Sequence, residues 1–208
     1  MRYIKKSQPP QSFVQWLNLA NEDWQPSFNN LQNPEKSDVR DILSSDQKGL
    51  CCYCESQLED RTRIDHFFPQ TLYPGRALDF GNFLLSCDTT EEQSPHCDSL
   101  KADHDPVDIL SPLDPECEGR FRCRADGTLQ STDKADIEAI KTIEVLGLNV
   151  ASLVRRRENI YDMVDERVEN LQKTKAFILE MLKERADGTL NPYWSVWRQL
   201  SIRLQISL

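Results

Sequence analysis

Long apolar runs are missing from this sequence: no stretch approaches the roughly 18 consecutive apolar residues of a membrane-spanning helix. The basic residues of Met1-Arg2-Tyr3-Ile4-Lys5-Lys6 are not followed by an apolar segment either, so no signal peptide is expected and the chain is read as cytoplasmic. Positive charge is scarce as well. There are 25 Lys and Arg against 34 Asp and Glu, a net charge of −9. That excludes capture of nucleic acid by bulk charge, which needs clustered cations to displace counterions from phosphates. The one local basic run, Arg155-Arg156-Arg157, reads as solvated arginines on a helix face. Internal repeats and low-complexity tracts are absent. Cysteine, by contrast, is plentiful. Seven are present, an odd number, which in a reducing compartment points to metal or reactive thiols rather than a disulfide framework.

The chain has 208 residues, enough for one domain or one domain with a helical extension. A chain of this size buries about 70% of its unfolded surface, so a core forms without staples. The expected fold class is α+β and mostly helical. Residues 1–49 read as a helical lead, with helices over 11–20 after Pro9-Pro10 and over 37–47 before Gly49. Residues 50–104 break into cysteines, histidines, prolines and short apolar runs, including a strand at 62–68 closed by Pro69 and a short helix at 97–103. Residues 105–132 form a loop and a hairpin whose turn is Ala125-Asp126-Gly127. Residues 133–208 are helical. One segment runs over 133–146. A long helix capped by Asn149 carries Val150, Leu153, Ile160, Val164, Val168 and Leu171 and continues through Ile178 to Gly188, and a last helix starts at Pro192. This region serves packing, dimerisation or partner docking.

The chemistry concentrates between Leu50 and Lys101. Cys51 and Cys54 have the C-x2-C spacing that lets two thiolates of one tight turn meet a tetrahedral zinc ion. Cys52 then points away. Cys87 and Cys97 are the nearest further ligands, with His96 an alternative to Cys97 and with Cys117 and Cys123 as outside competitors. Within this frame, Asp65 and Asp98 form a hard-oxygen set for Mg2+ or Mn2+, and His66 is placed to take a proton from water. Neighbours in a strand point to opposite faces, so for Asp65 and His66 to reach one ion a twist or bulge near Pro69 is expected.

The order Cys-x2-Cys, Asp-His-x2-Pro, Asn-Phe-Leu-Leu-x-Cys, Cys-Asp-x2-Lys resembles the HNH endonuclease family in its zinc-stabilised form. The resemblance covers about a quarter of the chain. It implies a ββα-metal unit, a hairpin and a helix around one catalytic divalent ion. His66 would be the general base and Asp65 a ligand of the catalytic ion. Asn82 would fix the loop and the orientation of the histidine. Asp98 would be the second ligand, where Asn or His is commoner, and Lys101 would face the substrate phosphate. Cys51, Cys54, Cys87 and Cys97 would hold structural zinc, with the insertion Asp88 to Pro95 widening the second half of that site. The Met1–Lys6 lead, Leu50-Cys51-Cys52-Tyr53-Cys54-Glu55 and His96-Cys97-Asp98-Ser99-Leu100-Lys101 are similar to the PtuB family, the HNH subunits of Septu anti-phage systems that also occur in retron operons. This implies an ATPase partner resembling PtuA and a nucleic-acid substrate, DNA first, within a larger complex that can include a homodimer.

Two other readings stand beside it: an RNase acting on tRNA or other structured RNA, and a non-catalytic zinc-knuckle scaffold. Between Cys51 and His104, four basic residues face ten acidic ones, a field suited to nucleic acid only with basic surface supplied from elsewhere.

Overall fold

The computed structural model describes residues 1–59, 62–89, 94–167 and 170–206. Seven helices and two antiparallel two-stranded sheets among these residues give an α+β fold. Pro10 precedes α1 (Gln11–Leu17), whose Phe13 and Trp16 are buried three residues apart, on one helical face. In α2 (Glu35–Asp46) the buried pair is Val39 and Leu43, again one turn apart. These side chains, with Leu31 and Phe80, form an apolar cluster against Phe83 and Leu85 of β2 (Phe83–Cys87). Side chains alternate across a strand, so Leu84 and Ser86 face the other way. There Leu84 joins the larger core of cysteines, Tyr53 and the C-terminal helices. The strand β2 is therefore sandwiched, and β1 (Thr62–His66) pairs with it antiparallel, Ile64 opposite Leu85 and His66 opposite Phe83. One turn of helix, α3 (Asp98–Lys101), follows in sequence.

The second sheet is the expected hairpin, β3 (Phe121–Cys123) with β4 (Leu129–Ser131). Then come α4 (Ile137–Val145), α5 (Ala151–Asp165), α6 (Leu171–Leu182) and α7 (Trp194–Arg203). The expected long helix is two helices. Asn170, whose side chain accepts from Lys173 N at 3.0 Å, caps a new helix, α6. Val168 lies outside the described residues. Asn149 does not cap α5. Val150 holds that position, and the Asn149 side chain instead bonds the Leu129 N–H (2.7 Å) and C=O (2.8 Å), extending the edge of β4.

The basic run is solvated only in part, Arg155 and Arg156 being exposed and Arg157 not. Arg157 is 1% exposed and donates to Gly127 O and Leu148 O, each at 2.7 Å, which ties α5 to the hairpin turn. Gly127 has φ +75°, and a Cβ there would lie 2.1 Å from Val154 O. Gly127→Ala is expected to cost about 2–4 kcal/mol in chemical denaturation, whereas Gly119→Ala, with open space around it, should stay within about 0.5 kcal/mol of wild type.

Candidate metal centres and the cleft beside them

The buried Gln47 side chain organises the approach to the first centre. It donates to Leu50 O and Leu85 O, both at 2.8 Å, and accepts from Leu85 N at 2.7 Å, joining the end of α2, the Cys51–Cys54 turn and β2. The turn is closed by Glu55 N on Cys51 O and by Cys51 N on Ser56 O. Cys87 ends β2, and Cys97 sits just before α3 with φ 54° and ψ −135°, a backbone conformation unusual for a side chain with a Cβ. The four Sγ atoms of Cys51, Cys54, Cys87 and Cys97 all lie within 4.8 Å of one another.

Cys51 and Cys97 are 3.8 Å apart, and Cys54 and Cys87 are 3.7 Å apart. Four sulfurs at about 2.3 Å from a tetrahedral ion would be about 3.8 Å apart, so the cluster has the dimensions of a tetrathiolate site and is compatible with structural zinc. Cys87 N also donates to Cys51 Sγ at 3.4 Å, a bond that favours the thiolate. Cys97 thus completes the set. His96 is beside it, with Nδ1 3.0 Å from Ser94 O. Cys52 is buried outside the cluster. Cys117 and Cys123 are outside too, their thiols pushed up to about 12 and about 11 by burial, as inert core cysteines are. Of the insertion between Cys87 and Cys97, residues 90–93 lie outside the described residues.

The second centre lies along β1. Asp65, opposite Leu84, is 3% exposed. It accepts from the hydroxyl of Tyr53 and pairs with Lys101 Nζ at 3.0 Å. Asp98, the first residue of α3, lies against it. Burial, then the neighbouring Asp65 charge, raises the Asp98 carboxyl to about 8. Two carboxylates held together this way need a cation or a shared proton between them. Lys101 departs from its expected place. It is 2% exposed, bonds Asp65 and the His66 carbonyl (3.0 Å), and does not reach the surface of the cleft.

No bulge brings Asp65 and His66 to one face. The β1–β2 register is regular through His66, so the two side chains keep the alternation of a strand. Instead the open edge of β1 forms the wall of a cleft of about 560 Å³, lined by all five β1 residues and by Asp98. His66 packs edge-on against Phe28 and Phe83 at 4.5 and 5.0 Å between ring centres. Its Nε2 is 3.0 Å from Ala77 O, which only an N–H can satisfy, leaving Nδ1 as the acceptor, 3.3 Å from the Gln70 amide nitrogen. Burial holds its pKa below the usual imidazole value, so the ring is neutral at pH 7.

Asn82 fixes this arrangement. Its Oδ1 accepts from Phe68 N (2.7 Å), and its Nδ2 donates to Phe68 O (2.9 Å) and Arg76 O (3.1 Å), pinning both ends of the loop that carries Ala77. His104 lies elsewhere, bonded to Asp108 at 2.9 Å.

Sequence reasoning missed Tyr53 as a partner of Asp65, and it missed the basic rim. Lys36 and Arg40 of α2, with Arg63, line the cleft. Lys36 and Arg40 are one turn apart but lie beside the buried Val39–Leu43 stripe rather than opposite it, so no amphipathic pattern marks them. The chain matches no protein-family model and no curated protein.

Two outcomes are expected. Cys54→Ser should lower stability by about 3 kcal/mol or more and make the melting temperature insensitive to a chelator that destabilises wild type. Asn82→Ala leaves Phe68 N and two carbonyls without their partner and should cost about 2–3 kcal/mol in urea denaturation.

Proposed function

We propose that this chain is a metal-dependent endonuclease of the HNH type, hydrolysing phosphodiester bonds of nucleic acid, DNA before RNA. The reading is carried by one observation: Asp65, Asp98 and the neutral His66 border a single cleft whose rim bears Lys36, Arg40 and Arg63. His66 accepts the proton of a water at Nδ1, displacing Gln70 from it. Ala77 O holds the ring in the tautomer that makes this possible and stabilises the imidazolium once formed. Asp65 and Asp98 supply carboxylate oxygens of the hard type that Mg2+ or Mn2+ takes, and such an ion, when bound, neutralises phosphate charge and lowers the pKa of water. Lys101 steadies Asp65 from below, and Tyr53 does the same from the other oxygen.

The cysteine cluster holds zinc in a structural role, since all four positions are filled by protein thiols and none is left open for substrate. Lys36 and Arg40, from outside the 50–104 segment, add positive charge at the cleft edge beside Arg63, which Asp88 pairs at 2.9 Å, and give the phosphate backbone somewhere to lie. An ATPase subunit as partner, in an anti-phage complex, belongs to the same reading and rests on the resemblance of the motifs.

The test offers plasmid DNA and total tRNA with Mg2+ or Mn2+ to wild type and His66→Ala, with and without an ATPase subunit resembling PtuA. Cutting by wild type and at least about 100-fold less by His66→Ala is expected, with unchanged melting of the variant. Equal cutting by both would sink the assignment of His66. Silence in every lane would favour the scaffold. Lys36→Glu should raise KM more than it lowers kcat, because the side chain lines the cleft and makes no salt bridge to Asp65 or Asp98.

A further inference from the structure

A second concavity opens between the β3–β4 hairpin and α7, sharing no lining residue with the cleft along β1. Its volume is about 1110 Å³, the scale of a pocket for a whole small molecule rather than one inorganic ion. Two walls carry charge: Arg122 and Arg124 on the hairpin, Arg198 and Arg203 on α7. Against them stand Glu118 and Asp126, so the cavity holds an excess of positive charge in a chain whose net charge is −9. Arg198 pairs with Glu118, and Arg124 lies 3.6 Å from Asp126. Neither Arg122 nor Arg203 makes a salt bridge among the described residues, and both are exposed. The floor is apolar. Phe121, Tyr161 and Leu200 are buried beneath it, and Ile202, 65% exposed, stands at the lip.

We infer that this cavity binds a nucleoside phosphate, taken either as a free nucleotide or as a unit of a nucleic-acid strand. Guanidinium groups on two facing walls match phosphate oxygens in paired hydrogen bonds; Arg203 and Arg122 carry no carboxylate partner among the described residues, and a phosphate takes the place of the neutral Gln130 amide that Arg122 bonds at 3.1 and 2.6 Å. The base and sugar cover the apolar floor and the exposed Ile202, which inorganic phosphate or an acidic peptide side chain would leave wet. The inference does not rest on the nuclease reading, because no residue is shared between the two sites.

Calorimetric titration of the full chain with ATP, a short single-stranded oligonucleotide, inorganic phosphate and polyglutamate tests it. Saturable binding of ATP or the oligonucleotide is expected, with inorganic phosphate at least about tenfold weaker. The Arg122→Glu/Arg203→Glu variant should bind at least about tenfold more weakly than wild type, and the milder Arg203→Gln should fall between them. Both arginines are exposed, so melting should be unchanged. Tighter binding of ATP assigns the site to a free nucleotide, and tighter binding of the oligonucleotide assigns it to a strand. His66→Ala should bind as wild type does. Absence of saturable binding, affinity unchanged in the arginine variants, polyglutamate equal to ATP, or loss of binding in His66→Ala would each overturn the inference.

Discussion

Four thiols drawn from a turn, a strand end and the residue before a short helix meet at one point, and the placement of Asp98 follows from that meeting. Cys51 and Cys54 fix the turn after Leu50 against β2, Cys87 fixes the end of β2, and Cys97 fixes the start of α3. Four thiols at tetrathiolate spacing, three of them buried and Cys87 half-buried, gain little as packing alone, because each sulfur takes the place of a better hydrophobe. An ion between them would add to the bonds that Gln47, Cys52 N on Leu85 O and Asp98 N on Ser86 Oγ already make among these three segments. The backbone of Cys97, at φ 54°, is held in a region that costs free energy for a residue with a Cβ. That cost is borne where the thiol cluster over-determines the conformation. The next residue is Asp98, and its carboxyl reaches Asp65 because Cys97 is anchored.

Around Asp65 the charge balance is tight. Lys101 and the Tyr53 hydroxyl satisfy its two oxygens, and burial pushes the Tyr53 phenol well above its ordinary value, so it stays a donor. One cation then faces two carboxyl groups. The remaining negative charge is relieved by a proton on Asp98 or by a bound cation, and that imbalance separates this cluster from an ordinary buried ion pair. His66 sits on the other face of the strand, among aromatic rings that keep it neutral, and meets the carboxylates only at the strand's open edge.

Much of this was legible in the sequence for a physical reason: the informative residues are local. The turn spacing of Cys51 and Cys54, the Asp126-Gly127 turn, the Pro10 helix start and the buried pairs of α1 and α2 all act within a few residues. Asn82 as the loop-fixing residue was also anticipated, and the structure gives it three bonds that do so. What was not legible depends on long-range packing. Apolar spacing runs on past Asp165, and only the Asn170 cap shows that the helix restarts. Asn149 looks like a cap until β4 is beside it. Lys101 has the spacing of a surface cation, but folding brings Asp65 within 3.0 Å of it. Lys36 and Arg40 belong to a helix that ends at Asp46, shortly before the cysteine motif, yet nothing local announces that α2 flanks the cleft.

The most direct measurement of the central claim, that the thiol frame brings two carboxylates together to hold a divalent ion, is a titration of the intact chain with Mn2+ followed by electron paramagnetic resonance. The account expects one Mn2+ bound per chain, lost in Asp98→Asn while the melting temperature and the thiol-bound metal stay as in wild type. Mn2+ binding that persists undiminished in Asp98→Asn, or no binding to wild type at all, would contradict it.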